Sequence, residues 1–228
     1  MKTLSCTQKY FLSAINEKGD VPESLATVFP ICLIAGGTME LLSNGYITHN
    51  EKDVLVANKT WDDRLPHLQS LYEIVLSMKK PKKAKNLTGF IGALTLVLVE
   101  MNKKSYYSTL FSAIGESLVV SGCANKLEKS GLFKKTKYVP KEEAVKSIMK
   151  KIRTELLDDG EIKTETLCLT AFLDICGLFE NHFSKDEMED MKNRIEDVQK
   201  SEVYLSIIRI FNEIASGAVV AAMVVSPN

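Results

Sequence analysis

From Leu25 to Ser43 the chain is apolar on nearly every side of a helix: Leu25, Val28, Phe29, Leu33, Ile34, Met39, Leu41 and Leu42 leave no continuous polar stripe. A helix of that kind has no face to offer to water and belongs at the centre of a fold. Pro22-Glu23-Ser24 opens it and Asn44-Gly45 stops it. Pro30 falls inside and is expected to kink it or loosen its first turns.

The segments around it read as covers for this central helix. Residues 3–15 form a short helix with Leu4, Phe11, Leu12 and Ile15 near one face and Gly19 as terminator. Residues 46–49 and 54–57 alternate as two short strands around a polar turn, a first β-hairpin. Helical spacing then predicts helices at about 64–79, 88–101 and 105–129. A second, shorter hairpin is expected over 131–140. Helices follow at 141–157, 163–183, 185–200 and 202–225. The fold class is mostly α: a single multi-helix domain over 1–228, with a central apolar helix core and two small β-hairpins. One internal echo supports a duplicated outline, since Gly45 and Gly131 each read as a helix stop ahead of a strand pair.

A chain of 228 residues with 45% apolar and 25% charged residues can bury a core and lacks the composition of a disordered chain. The apolar runs Leu87–Val99 and Ile214–Val225 fall short of the roughly 20 residues that span a bilayer, so both read as buried helices. Five cysteines with no Cys-x-x-Cys pair, and no signal core near Met1, point to buried thiols in a reducing cytoplasm.

Catalytic and metal motifs are missing. His49, His67 and His182 are scattered, with no Cys or second His at ligand spacing, so no metal is expected. No phosphate-loop, dinucleotide or nucleophile-elbow pattern occurs. Gly36-Gly37 reads as a place where a second helix comes close. Asp158-Asp159 and Asp186-Glu187-Glu189-Asp190 read as solvated carboxylates at helix ends and on a polar helix face. No nucleophile, base and orienting group can be nominated together. The expectation is a non-enzyme without cofactors.

Charge is the informative quantity. The formal net charge is zero, with 29 basic and 29 acidic residues. Residues 79–153 nevertheless hold 17 basic and 5 acidic residues, against 6 and 15 over residues 154–228. The basic residues are Lys79, Lys80, Lys82 and Lys83, then Lys103 and Lys104, then Lys134, Lys135 and Lys137. Lys146, Lys150 and Arg153 follow as an i, i+4, i+7 stripe on one helix. Two readings stand. These residues either gather into one face that attracts phosphates or anionic lipid headgroups, or pair with the acidic segments across the surface. Winged-helix binding of nucleic acid would use similar lysines. It also needs a polar helix to read base edges, and the helices before the two hairpins offer none, which favours lipid.

The chain resembles the Golgi phosphoprotein 3 family. The resemblance is carried by Leu4-Ser5 with Gln8-Lys9-Tyr10-Phe11-Leu12, by Met39-Glu40-Leu41-Leu42-Ser43-Asn44-Gly45-Tyr46-Ile47 and by Asn125-Lys126-Leu127-Glu128-Lys129-Ser130-Gly131-Leu132. Leu169-Thr170-Ala171-Phe172-Leu173 with Phe179-Glu180-Asn181-His182-Phe183, and Ala218-Val219-Val220-Ala221-Ala222, complete it in the same order. Where Gln8 stands the family usually has Glu. The resemblance implies a mainly helical peripheral membrane protein without catalysis. Eukaryotic members recognise phosphatidylinositol 4-phosphate on Golgi membranes and hold the cytosolic tails of glycosyltransferases. Their lipid pocket uses a Trp and three Arg. Carried over, those positions fall on Leu25, Ile34, Glu116 and Val119, none of which can fork onto a phosphate as a guanidinium does. Trp61 lies elsewhere in the chain.

The expectation is therefore a short, bacterial-type member of the family, cytoplasmic and reversibly membrane-associated, at the Golgi only in a eukaryotic cell. Its expected partner is an anionic lipid surface, phosphoinositide by resemblance alone. A homo-oligomer and the cytosolic tails of membrane proteins are the further partners weighed. Nucleic acid is not expected. The rival functions are a protein-interaction or oligomerising module, and a winged-helix-like nucleic-acid binder.

Overall fold

The structure is a computed structural model and describes residues 4–49, 55–77, 106–128, 136–158, 160–205 and 207–208. The elements expected at 88–101, the tip of the second hairpin and most of 202–225 lie outside the described residues. The chain divides into two compact units, one of Met1–Leu33 with Ile114–Leu205, the other of Ile34–Ala113 with Ser206–Asn228. Both are dominated by helices, and each carries one two-stranded antiparallel sheet.

The first unit is built around α1 (Cys6–Ala14). Ser5 caps it: the hydroxyl accepts from the Gln8 amide while the Gln8 side chain accepts from the Ser5 amide, a reciprocal capping box. A Glu at position 8 would close the same box. The Gln8 side chain also donates, through Nε2, to Ser117 Oγ at 2.8 Å. Every residue from Thr7 to Ile15 is buried, so α1 is central rather than a one-faced cover. Tyr10 and Phe11 enter a ring cluster, with Tyr10 5.4 Å from Phe29 and 5.3 Å from Phe172, and Phe11 6.3 Å from Tyr138. Each fully buried ring contributes roughly 2–3 kcal/mol from area alone.

Around α1 pack α5 (Glu142–Leu157) and α6 (Thr164–Ile175). The amphipathic α8 (Lys185–Lys200) covers α5 and α6 with Met191, Ile195 and Val198. Ser184 and Glu187 form a second capping box at its start. The short α7 (Phe179–His182) joins α6 to α8. The predicted helix over 163–183 is thus two helices. Gly177 takes φ +61° and donates to the Asp174 carbonyl, and Leu178 donates to that of Leu173. This Schellman turn ends α6, and a pattern apolar on all sides concealed it.

In the second unit lie most of α2 (Val28–Ser43), β1 (Ile47–His49), β2 (Leu55–Ala57) and α3 (Gln69–Ser77). Ile47 pairs with Ala57 and Thr48 with Val56, which confirms the first hairpin. Gly37 admits a close neighbour, because a Cβ there would stand 2.8 Å from Leu71 Cδ2 and 3.0 Å from Leu68 Cδ2. Trp61 stacks 5.0 Å from Tyr46 and 5.1 Å from Tyr72, and its indole donates to Asp63, so it fastens the segment after the hairpin.

Two further expectations change. The second helix begins at Val28, after a 3₁₀ turn over Glu23–Leu25, not at Pro22. Pro30 then falls in the first turn, where an amide proton has no acceptor inside the helix, so no kink is needed. The helix expected at 105–129 is α4 (Tyr106–Val120), and Asn125, Lys126 and Leu127 belong to β3 (Ala124–Leu127), paired with β4 (Lys137–Pro140). Its stop is Gly122 at φ +75°. Gly122 donates to Val119 and Cys123 to Leu118, as Gly45 donates to Leu42 and Tyr46 to Leu41. The internal echo therefore sets Gly45 against Gly122 rather than against Gly131. Among the described residues no helix is long and apolar enough to cross a membrane.

Candidate functional site

The four residues onto which the resemblance carries the family's lipid pocket have other tasks in this structure. Leu25, in the 3₁₀ turn, is 4% exposed, and Ile34, in α2, is 3% exposed; both serve as core. Glu116 and Val119 sit on α4. The Glu116 carboxylate takes 2.7 Å from Lys126 Nζ and 3.0 Å from the Tyr138 hydroxyl, and the lysine, then the tyrosine, hold it below the usual carboxylate range. Glu116 is thus a stable anion, which repels rather than receives a phosphate. Gly115 beside it lets the Tyr138 ring lie against α4, since a Cβ would stand 2.3 Å from that ring.

The basic residues divide sharply. Lys79, Lys80, Lys82, Lys83, Lys103, Lys104, Lys134 and Lys135 lie outside the described residues. The others are mostly held by carboxylates. Lys137 on β4 pairs with Asp20 in the loop after α1. Lys146 pairs with Glu142 at 2.6 Å, one turn back on α5, and this partner raises its ammonium pKa. Arg153 pairs with Glu187 of α8 at 2.6 Å and lies 5.4 Å over the Phe183 ring. The Ser184 backbone amide, more than Arg153, holds Glu187 low. Lys150 is exposed and has no ion pair among the described residues. The pairing of basic with acidic segments, one of the two sequence readings, thus describes Lys137 and Arg153, while Lys146 is paired within its own helix.

The stripe does line a groove. Lys146, Lys150 and Arg153 bound an open depression of about 760 Å³ with Val145, Met149 and His182. His182 Nε2 is 2.8 Å from the Ser13 carbonyl oxygen. Burial lowers its pKa against the opposing effect of that carbonyl, so the imidazole is neutral at pH 7 and adds no charge. Behind α5 lies a better enclosed triad, in which Glu165 of α6 joins buried Lys9 and, at 2.6 Å, Lys151. Burial raises the Glu165 carboxyl, but Lys151 and Lys9 together hold it below its ordinary value. This triad ties together α1, α5 and α6.

Among the described residues no group of three His, Cys, Asp or Glu could hold a metal ion. Sequence reasoning missed one cluster. Cys176, at the end of α6, lies 3.8 Å from Cys32 and 3.4 Å from the Tyr10 hydroxyl. Nothing local signals a contact between residues 144 positions apart in the chain. The only clue in the sequence is Cys176-Gly177, a thiol placed just before a helix stop.

The family model for Golgi phosphoprotein 3 (GPP34) matches residues 7–224. The chain belongs to the Golgi phosphoprotein 3 family. A comparison with curated proteins found no match. The matched range takes in the capped α1, the Gly45 stop, the first hairpin and the positions Ile34, Glu116 and Val119.

Proposed function

We propose that this GPP34 protein is a non-catalytic, peripheral membrane-associating protein. Its contact with anionic bilayers is reversible, salt-dependent and carried by charge rather than by a fitted headgroup pocket. The family match, running across both units, supports reading residues 7–224 as one GPP34 domain.

The observation that carries the proposal is how the charge is distributed. Residues 79–105 and 129–135 contain ten basic residues and one acidic residue. The basic residues beyond them, by contrast, are largely matched by Asp20, Glu116, Glu142, Glu165 and Glu187. The lysines of those two stretches, which lie outside the described residues, are Lys79, Lys80, Lys82, Lys83, Lys85, Lys103, Lys104, Lys129, Lys134 and Lys135; Lys150 on α5 is exposed and has no ion pair among the described residues. Each lysine near such a surface is worth about 1 kcal/mol, so five or six acting together suffice for reversible recruitment. Phosphatidylinositol 4-phosphate selectivity is not part of the proposal, because Leu25 and Ile34 are core residues and Glu116 repels phosphate.

Flotation with vesicles of phosphatidylcholine alone, or with added phosphatidylglycerol or phosphatidylinositol 4-phosphate, tests this at low and high salt. Binding is expected to follow total anionic charge and to vanish at high salt. Failure to float with phosphatidylglycerol vesicles at low salt overturns the proposal.

A further inference from the structure

We infer that Cys32 and Cys176 form a peroxide-reactive thiol pair that closes to a disulfide, a covalent modification site between α2 and the end of α6. The sulfurs stand 3.8 Å apart, in contact without being bonded. A disulfide needs about 2.05 Å, so a closure of somewhat under 2 Å separates the two states, within the reach of small side-chain rotations. Both cysteines belong to the same compact unit.

The two thiols differ in the way a reactive pair requires. Cys32 is 0% exposed, on a helix turn packed among rings. Cys176 is only half-buried, at the cap of α6 and next to Gly177. Its sulfur has two potential donors, the Cys32 thiol and the Tyr10 hydroxyl at 3.4 Å. The hydrogen bond from Cys32 favours the Cys176 thiolate, while burial keeps Cys32 protonated. Cys176 is therefore the nucleophile and Cys32 the resolving thiol. The partial cover at Cys176 suits a small oxidant, so the co-reactant is hydrogen peroxide or a small alkyl peroxide.

The chemistry balances. The Cys176 sulfur attacks one peroxide oxygen, the O–O bond breaks, water or an alcohol departs, and Cys176 becomes a sulfenic acid. The Cys32 sulfur then attacks the Cys176 sulfur. The S–O bond breaks, hydroxide leaves with the Cys32 proton as water, and the S–S bond forms. Two thiols are oxidised and one peroxide is reduced. The product ties the first turns of α2 to the α6 stop, and a thiol reductant reverses it.

The test uses the full chain. The reduced protein is treated with hydrogen peroxide, alkylated, reduced, alkylated with a second reagent and mapped by mass spectrometry. The expected result is loss of two of the five thiols, mapped to Cys32 and Cys176, a mass lower by two hydrogens and recovery on reduction. Cys6, also half-buried, should react more slowly and serves as the comparison for exposure alone. Cys176→Ser should leave Cys32 a free thiol after peroxide, and Cys32→Ser should leave Cys176 as a sulfenic acid trapped by a dimedone probe. Cys32 is core and its variant can lose stability, so the wild-type map and Cys176→Ser carry the decision. Over-oxidation of Cys176 with Cys32 still free, a different pairing, or five intact thiols after peroxide overturns the inference.

Discussion

Replacing Gly115 by Ala should destabilise the protein, against the usual benefit of Ala over Gly in a helix. That benefit is about 1 kcal/mol. The added methyl would stand 2.3–2.4 Å from Cδ2, Cε2 and Cγ of Tyr138, against an ordinary carbon contact of roughly 3.5–4.0 Å. The ring has little room to retreat. It is 1% exposed, it meets the Phe11 ring at 6.3 Å, and its hydroxyl donates to Glu116 at 3.0 Å. Overpacking of this kind costs about 1–3 kcal/mol, and displacing the hydroxyl from Glu116 adds about 1 kcal/mol. The net loss is about 2 kcal/mol, or ~1 M in urea midpoint at an m-value of about 2 kcal/mol/M. The assay is urea unfolding followed by circular dichroism. If the transition separates into two steps, the step of the unit containing Tyr138 is the one that moves. Tyr138→Leu in the Gly115→Ala background should recover part of the loss, because the shorter side chain vacates the space. A Gly115→Ala protein as stable as the wild type, or more so, would refute the packing argument.

Other outcomes follow from the same structure. Glu165→Ala should cost about 2–3 kcal/mol, since it strands buried Lys9, whereas Lys9→Met should cost clearly less because an apolar chain of similar shape replaces the ion; paired urea titrations measure both. The folded pKa of His182 lies below its unfolded value, so its neutral form favours the fold. That stability is complete above about pH 6.5 and declines as pH falls towards the folded pKa; His182→Gln should flatten the decline in urea midpoints measured between pH 5 and 8. Gly45→Ala should lose about 1 kcal/mol despite open space around it, from its φ of +71° alone, again read from the urea midpoint.

Much of this architecture can be read along the chain, and the failures share one cause. Helices with one apolar face, α5 and α8, show their bounds because the periodicity changes where they end. Gly45 is legible because a polar Asn44-Gly45 pair interrupts an apolar run. Gly177 and Gly122 are not, because they follow segments with no polar face whose loss would mark an end. Ala124–Leu127 buries only Ala124, so the strand presents no alternation and merges with the helix before it. The site divides in the same way. The stripe Lys146, Lys150, Arg153 is visible because its spacing is local. The Lys146–Glu142 pair is legible for the same reason, at i, i+4 on one helix, but the pairing of Arg153 is not, because Glu187 comes from another helix, as Asp20 comes from a loop far from Lys137.

We propose that membrane contact comes from the basic stretches and not from the paired cations Lys146 and Arg153 of α5 or from a headgroup pocket. The decisive measurement is flotation with phosphatidylglycerol vesicles at low salt, comparing two neutralised proteins. One carries Gln at Lys79, Lys80, Lys82, Lys83 and Lys85; the other carries Gln at Lys137, Lys146 and Arg153. At about 1 kcal/mol for each of the five lysines and about 1.4 kcal/mol per tenfold, the first should lose binding by about 5 × 10³-fold, while the second, whose cations already face carboxylates, should bind within a few-fold of the wild type. Equal losses in the two proteins, or full binding by the first, would contradict the account.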